Sequence, residues 1–420
     1  MKTVGIYGVS TQSGMAYFAD FLNRSYNVIG YARNSEHGIN VVNAINRRNG
    51  IYLERPENQN DEISRFIELN GNIVTNDLKT LLSKSSIIIL PIPAHYQLEA
   101  ISIMVKEGLG NKQIPLLLSP SRTFAVPYIW KIVGNDYPII SFSTSPCSSK
   151  TIAYDKVYIK RRKRIWSASV EGNLSYKHLS LLHELFPQVG FVDLPAAISL
   201  NNIGAVFHPT TYLLNYDIIK TREKNKQDYS FYLEGIVGNK QVSETIESID
   251  QVRLKIADCL GLDTFGLKKT PREKIWRKIT NGLRAIEDEH QDDIALLRKI
   301  RRQYLGYISN CMISATHWLD ITYGVKRIEE ESLSDTIKRT PTYQKMSCPQ
   351  ARYIEEDIPT GLVPLEAIAK ILNIECNAVT SMIDLYNETM NTDARKSGRN
   401  LKEYSKKYIC DYLTGKLARC

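Results

Sequence analysis

Residues 3–33 read TVGIYGVSTQSGMAYFADFLNRSYNVIGYAR. TVGIYG has the pattern of a short buried strand that stops at Gly8. A turn of small residues follows, then MAYFADFL with helical periodicity, then YNVIGYAR as a second strand. Strand, small-residue turn, helix, strand is the opening of a doubly wound, dinucleotide-binding α/β unit. The helix N-terminus would face a pyrophosphate, because its first amides have no partner within the helix. Gly8, Ser10, Thr11 and Gly14 are therefore the candidate cofactor-binding residues. Ser10 stands where the usual fingerprint carries its second glycine, and the loop is about a residue longer before Gly14. A parallel sheet that binds no nucleotide would share the pattern.

The end of the second strand bears on which dinucleotide is bound. Sheets of this kind that take NAD usually place Asp or Glu there, against the ribose 2′-hydroxyl. Here the sequence is Arg33, Asn34, Ser35, with Glu36 slightly late. A planar guanidinium among small polar neighbours suits a 2′-phosphate. NADP(H) is the preferred cofactor on this reading, with NAD(H) as the alternative.

Outward from this start the α/β pattern continues. A helix-like segment and a polar connection are expected over 40–60, and a helix around DEISRFIEL (61–69). NIVT begins another strand–helix–strand passage whose last strand is Ser86–Leu90. Pro91 then lies at that strand's C-terminal end, where such sheets bind ligands; His95 begins the next helix. The strands IPLLLSPS and YPIISFST flank the helix TFAVPYIWKIV. Their ends, Ser119–Ser121 and Ser143–Thr144, are small and polar, and Thr144 is a candidate substrate contact. Residues 151–170 suggest a hairpin turning through Lys160–Arg164, and a further helix and strand close the first domain at 194. After Pro195 the periodicity is helical throughout. Helices are expected at Ile198–Ala205, Pro209–Lys220, Gln241–Leu260, Pro271–Ala285, Asp292–Tyr307, Ile308–Tyr323, Pro364–Leu372, Ala378–Asn387 and Leu401–Leu413. The expected architecture is a Rossmann-type dinucleotide-binding domain over residues 1–194, followed by an all-α substrate and catalytic domain over 195–420.

Composition narrows the classes. A chain of 420 residues exceeds one ordinary core. No apolar run reaches the ~18–20 residues of a membrane span, and MKTVGIYG enters a strand directly, without a signal-peptide pattern. Seven cysteines without CxxC or Cys/His ligand spacing argue for a reducing, cytoplasmic setting and against a zinc site or a disulfide scaffold. The net charge of +9 is modest for this length. The basic cluster Lys160–Arg164 has no interleaved aromatics and no recognition helix, so it reads as a solvated turn and not as a nucleic-acid surface.

The stretch Asn201–Asn215, NNIGAVFHPTTYLLN, is the first place to look for proton chemistry. Pro209 fixes its own φ and restricts His208, which is expected at a helix break or turn. A neutral imidazole there could exchange a proton near neutral pH; it could equally be a hydrogen-bonded core histidine. Asn215 closes the stretch as a candidate substrate contact. Residues 348–373, CPQARYIEEDIPTGLVPLEAIAKILN, are the most distinctive local sequence, with three adjacent acids ahead of Ile-Pro. Asp357, expected in extended geometry, could orient His208 as the acid of a Ser-His-Asp triad does. The same acids could simply favour the N-terminus of the following helix. Spacing alone does not join a histidine to an acid so far along the chain.

These pieces, with FYLEGI at Phe231–Ile236, IESIDQVRLKIADCLGL from Ile246 and TPTYQK from Thr340, occur in the order found in the octopine/nopaline (opine) dehydrogenases. The chain resembles that family over most of its length. The specific combination is the His-Pro pair with the downstream EDIP-Thr-Gly-Leu-Val-Pro. SPS and IISFST also resemble the opine-metallophore (staphylopine-type) dehydrogenase branch, although Cys147-Ser148-Ser149 stands where that branch carries an acid. The resemblance implies reductive condensation of an α-keto acid, pyruvate or 2-oxoglutarate, with the amino group of an amino acid or a derived amine. The product would be an N-(carboxyalkyl) amino acid, with a metallophore among the options. It also implies that His208 is the catalytic acid/base and Asp357 its partner, with no metal in the site, and it leaves a homodimer open. Two other readings share these features: a two-domain dehydrogenase reducing a simple keto acid, and a non-catalytic NADP-binding protein.

Overall fold

The computed structural model describes the chain apart from residues 1, 57–63, 163–165, 188, 193, 266–284, 286–288, 290–310, 317, 320–324, 326, 329–330, 347 and 418–420. The chain forms two compact units. One comprises Met1–Ser121 and Ala125–Asp193, the other Arg122–Phe124 and Leu194–Cys420.

In the first unit β1 (Thr3–Tyr7) lies between β2 (Asn27–Tyr31) and β6 (Ile87–Leu90), parallel to both. β5 (Ile73–Thr75) extends the sheet beyond β2, while β7 (Leu116–Leu118) and β8 (Ile139–Phe142) extend it beyond β6, all in parallel. The chain thus winds outward from β1 in both directions, which leaves a switch point between β1 and β6. β11 (Trp166–Glu171) joins β8 antiparallel, and β12 (Val189–Val192) completes eight strands. β6 and β7 are continuous apolar runs because both faces of a doubly wound sheet are covered.

A second sheet, in the order β4 (Arg65–Glu68), β3 (Gly50–Glu54), β10 (Lys156–Arg162) and β9 (Cys147–Ala153), packs against α1 (Gln12–Asn23). This explains why every residue of α1 from Gly14 to Leu22 is buried: the helix lies between two layers and is apolar nearly all round. Met15, Phe18 and Phe21 share one core with Ile51, Leu53, Val157 and Ile159 of the second sheet. Two expectations are corrected by this sheet. Residues around DEISRFIEL contain a strand, β4 (Arg65–Glu68), not a helix, because pairing with β3 (Gly50–Glu54) overrides local helical spacing. The expected helix-like segment is α2 (Glu36–Arg48), which ends at Asn49 in left-handed geometry before β3 begins. The hairpin between β9 (Cys147–Ala153) and β10 (Lys156–Arg162) turns at Tyr154–Asp155, ahead of the basic cluster, part of which lies outside the described residues.

In the second unit α7 (Ala196–Ser199), α8 (Ile203–Leu213), α9 (Tyr216–Lys224) and α10 (Lys240–Cys259) come first, and helices Val363–Ile371 and Asn377–Met390 pack later. The helices expected over 271–285 and 292–307 lie outside the described residues apart from Ala285. Residues 311–313, expected within a helix, pair as a strand with Asp263–Phe265, so the described residues of the unit are helical with one small sheet. The last expected helix begins at Lys406 and not at 401, behind a Ser405 cap and a left-handed Leu401. Pro209 does not break α8 but lies inside it, leaving Ala205 one amide donor short. Phe207, Thr211 and Tyr212 are buried on either side, so tertiary packing holds the helix through the proline.

Candidate functional site

The turn after β1 is built for a close backbone approach. Gly8 has φ +99°, and the amides of Gly8 and Val9 both donate to the Tyr31 carbonyl at 2.8 Å. Thr11 caps α1: its hydroxyl oxygen accepts from the Gly14 amide at 3.0 Å and donates to the Gly8 carbonyl at 2.9 Å and the Pro91 carbonyl at 3.1 Å. A Cβ on Gly14 would lie 2.0 Å from the Gly8 carbonyl oxygen, so only glycine fits. Pro91 directly follows β6, and Arg33 is exposed two residues past β2. Gly8, Ser10, Thr11, Gly14, Arg33 and Pro91 therefore gather at the C-terminal ends of β1, β2 and β6. This glycine cradle at a helix N-terminus beside the switch point fits a dinucleotide's pyrophosphate. Thr144 is half-buried just past β8.

The second unit brings together the two residues that spacing could not join. His208 Nδ1 lies 2.8 Å from Asp357 Oδ2. Asp357 is 1 % exposed, and the His208 side chain retains 21 % exposure. An ionised carboxylate accepts only, so with Asp357 ionised the shared hydrogen is carried on Nδ1 and Nε2 is left for another partner. The imidazole stacks on Tyr353 at 4.1 Å and 18°, with Phe231 edge-on at 6.1 Å. These rings fix the plane of the imidazole. Burial raises the Tyr353 phenol above its ordinary range, so it stays neutral.

Asp357 is not extended: it has φ −74° and ψ −22° and leads a π turn, Ile358–Leu362. The proline restriction acts on Ile358, the residue that precedes Pro359. Gly361 permits this turn to sit against α8, since a Cβ there would lie 2.5 Å from the Ala205 Cβ.

Sequence reading missed Arg122. It is 234 residues from Glu356, yet its Nε donates to Glu356 Oε1 at 3.1 Å and its Nη1 to Asn202 Oδ1 at 3.1 Å. Nη1 is also 3.3 Å from Asp357 Oδ1. Burial works against the Arg122 charge, but Asp357 and Glu356 outweigh it and raise the guanidinium above its ordinary range. The tripeptide is stitched into the second unit. Thr123 N donates to Thr360 O at 3.1 Å, Thr123 Oγ1 to Ser199 O at 2.9 Å, and Arg399 Nη1 to Thr123 O at 2.8 Å. The local signal available in sequence was only an arginine directly after Ser-Pro-Ser.

Asn215 is placed differently from its expected role. Its Nδ2 donates to Thr211 O at 2.8 Å and Gly235 O at 3.0 Å, and its Oδ1 accepts from Asn239 Nδ2 at 3.2 Å. Buried and bonded on both ends, it ties α8 to the π turn Leu233–Val237 and has little left for a substrate.

Residues 193–390 match the family model described as NAD/NADP octopine/nopaline dehydrogenase, alpha-helical domain. The matched span contains both His208 and Asp357. It is 21 % identical over 345 residues to the opine dehydrogenase of Arthrobacter sp. (strain 1C), covering 79 % of this chain and 78 % of that one. Its fold matches octopine dehydrogenase in complex with NADH and agmatine with a TM-score of 0.69, at 14 % identity over 99 % of this chain and 98 % of the other. NADP+-bound yersinopine dehydrogenase matches with a TM-score of 0.61, at 13 % identity over 100 % and 98 %. The chain is thus similar to opine dehydrogenases in sequence over 345 residues and shares the fold of octopine and yersinopine dehydrogenases. No described helix is long and apolar enough to cross a membrane.

Proposed function

We propose that this chain is an NADP(H)-using opine dehydrogenase that joins an α-keto acid, pyruvate or 2-oxoglutarate, to the amino group of an amino acid and reduces the product. The observation that carries the reading is the 2.8 Å His208–Asp357 pair in a helical domain of the matched family. Solved octopine dehydrogenase structures hold NADH with L-arginine or with pyruvate, a precedent for both substrate classes.

The residues supply the protons. An amino acid's ammonium must lose a proton before its nitrogen attacks the keto carbon, and the resulting carbinolamine must gain one before water leaves. His208 Nε2 can accept the first and return the second, while Asp357 stabilises the imidazolium between the two steps. Tyr353 and Phe231 hold the ring so that Nε2 points one way throughout. When bound, the nicotinamide supplies the hydride that reduces the imine. Gly8, Ser10, Thr11, Gly14 and Pro91 would hold its pyrophosphate end, and Arg33 the 2′-phosphate of NADPH. Thr144 is proposed as a substrate contact and Asn215 as a structural residue.

His208→Ala tests the reading: imine reduction should vanish while NADPH binding, followed by nucleotide fluorescence, stays within about twofold. Unchanged turnover would remove His208 from the chemistry. A matrix of keto acids with and without amino acids separates this activity from plain keto-acid reduction, which needs no amine. NADPH binding with no oxidation in any combination would support a non-catalytic protein. For the cofactor, Arg33→Asp should reverse or erase the NADPH-over-NADH preference; an unaltered ratio refutes the 2′-phosphate assignment. An N-(carboxyalkyl) amino acid places a secondary amine between two carboxylates, a chelating arrangement, so the purified product should bind divalent metal in a titration.

A further inference from the structure

Arg122 is the residue near the pair whose geometry the reaction has not yet used. Its backbone has φ +65°, the left-handed region, and Phe124 in the same tripeptide has φ +54°. A non-glycine residue is held there only when its surroundings demand it. The surroundings here are the side chain's own contacts: Glu356 at 3.1 Å, Asn202 at 3.1 Å and Asp357 at 3.3 Å. Gly204 makes room for the guanidinium, since a Cβ there would meet Arg122 Nη1 at 3.0 Å and the His208 ring at 3.4 Å. The cation therefore lies close behind the imidazole, across the carboxylate from it.

We propose that Arg122 is a positioning residue that fixes the Asp357 carboxylate and sets the charge against which His208 gains and loses its proton. The guanidinium opposes the charge of the two buried carboxylates beside the imidazole. Without Arg122 that opposition is lost, and the imidazolium would hold its proton too firmly to return it. The groups facing His208 are Asp357 and Tyr353 directly, with Arg122 and Glu356 behind Asp357. Other charges on elements packed against α8 are Arg352 and Glu355, with the Arg352 guanidinium over the Tyr353 ring, and the pairs Asp250 with Arg253 on α10, Glu234 of the π turn with Arg222, and Asp384 of helix Asn377–Met390 with Arg395.

This inference deepens the opine dehydrogenase reading and rests on it for its catalytic meaning, so its test includes a readout that needs no turnover. Long-range proton–nitrogen spectra of the 15N-labelled full chain follow the His208 imidazole through pH, with its signals assigned by their loss in His208→Gln. In Arg122→Gln the His208 titration midpoint should rise by about one pH unit or more, a tenfold or greater gain in proton affinity. Arg122→Lys, which restores a charge without the fork, should recover most of that shift. Glu356→Gln, which removes the opposite charge, should move the midpoint down. If the enzyme turns over, the pH profile of kcat should shift in the same directions, with KM for the keto acid changing less than kcat. A His208 midpoint that stays within about 0.2 pH unit in Arg122→Gln overturns the proposal, as do equal shifts in the glutamine and lysine variants. Should Arg122→Gln fail to fold, Glu356→Gln decides: a fall in the midpoint supports the proposal and no movement overturns it. If the wild type reduces no keto acid and amine pair, the functional reading fails while the titrations still decide the charge balance.

Discussion

Replacing Asp357 with Asn changes one atom's identity and one charge while keeping the shape of a buried side chain. Asp357 Oδ2 accepts from His208 Nδ1 at 2.8 Å in a site 1 % exposed, so the interaction is charge-assisted and poorly screened. Such hydrogen bonds contribute about 1.5–3 kcal/mol. If the contribution is realised when His208 becomes an imidazolium, kcat/KM should fall about ten- to 150-fold. The amide can also present its NH2 to Nδ1 and favour the wrong tautomer, which deepens the loss. The assay is oxidation of NADPH at the nicotinamide absorbance band, with keto acid and amino acid both present. Nucleotide titration and thermal melting serve as controls, because Asp357 lies in the second unit and the glycine turn in the first. Turnover within about twofold of wild type, in a folded variant that binds NADPH normally, would refute the role given to the pair.

Four further outcomes follow from the geometry. Gly14→Val places its Cβ on the Gly8 carbonyl, so nucleotide affinity in a fluorescence titration should fall at least tenfold, and full affinity would contradict the turn as drawn. Gly361→Val should push the π turn off α8 and lower kcat far more than it raises NADPH Kd, both measured on one preparation. Arg253→Met leaves the buried Asp250 without the cation it pairs with and should cost about 3–5 kcal/mol in urea unfolding. Burial acts to raise the Glu366 carboxyl, but hydrogen bonds from Arg395, Lys370 and Thr380 outweigh it and hold it down to about 2, against an ordinary 4.5. A depressed acid contributes stability that is present above about pH 4.5 and lost as pH falls toward 2. In full that is worth about 3 kcal/mol, of which about 2 kcal/mol is lost by pH 3, so the difference between urea melts at about pH 7 and about pH 3 should shrink by about 2 kcal/mol in Glu366→Gln.

Much of the fold is legible in local sequence because its signals are local. A strand that ends at Gly8, a threonine cap three residues before Gly14 and an apolar helix suffice to announce the first β-α-β unit. The same holds for the buried strands β6 and β7 and for the amphipathic helices after residue 195. Errors fall where long-range pairing outweighs propensity. β4 has helical spacing but is recruited by β3, and Cys311–Ile313 is drawn into a strand by Asp263–Phe265. Pro209 carries a local rule against helix interiors that burial of its neighbours overrides.

The sequence by itself determined which chemistries were available: a nucleotide turn, an arginine at the end of the second strand, one histidine before a proline, and a run of three acids. Only the tertiary structure decided which of those acids meets the histidine. It selected Asp357, because Gly361 lets that turn approach α8, and turned Glu356 toward Arg122. It also withdrew Asn215 into the scaffold, and it brought in Arg122 across 234 residues, where no spacing rule operates. The physical reason is that hydrogen bonds and ion pairs act over a few ångströms of space without regard to sequence separation. Periodicity and capping, by contrast, act over a few residues and can be read along the chain.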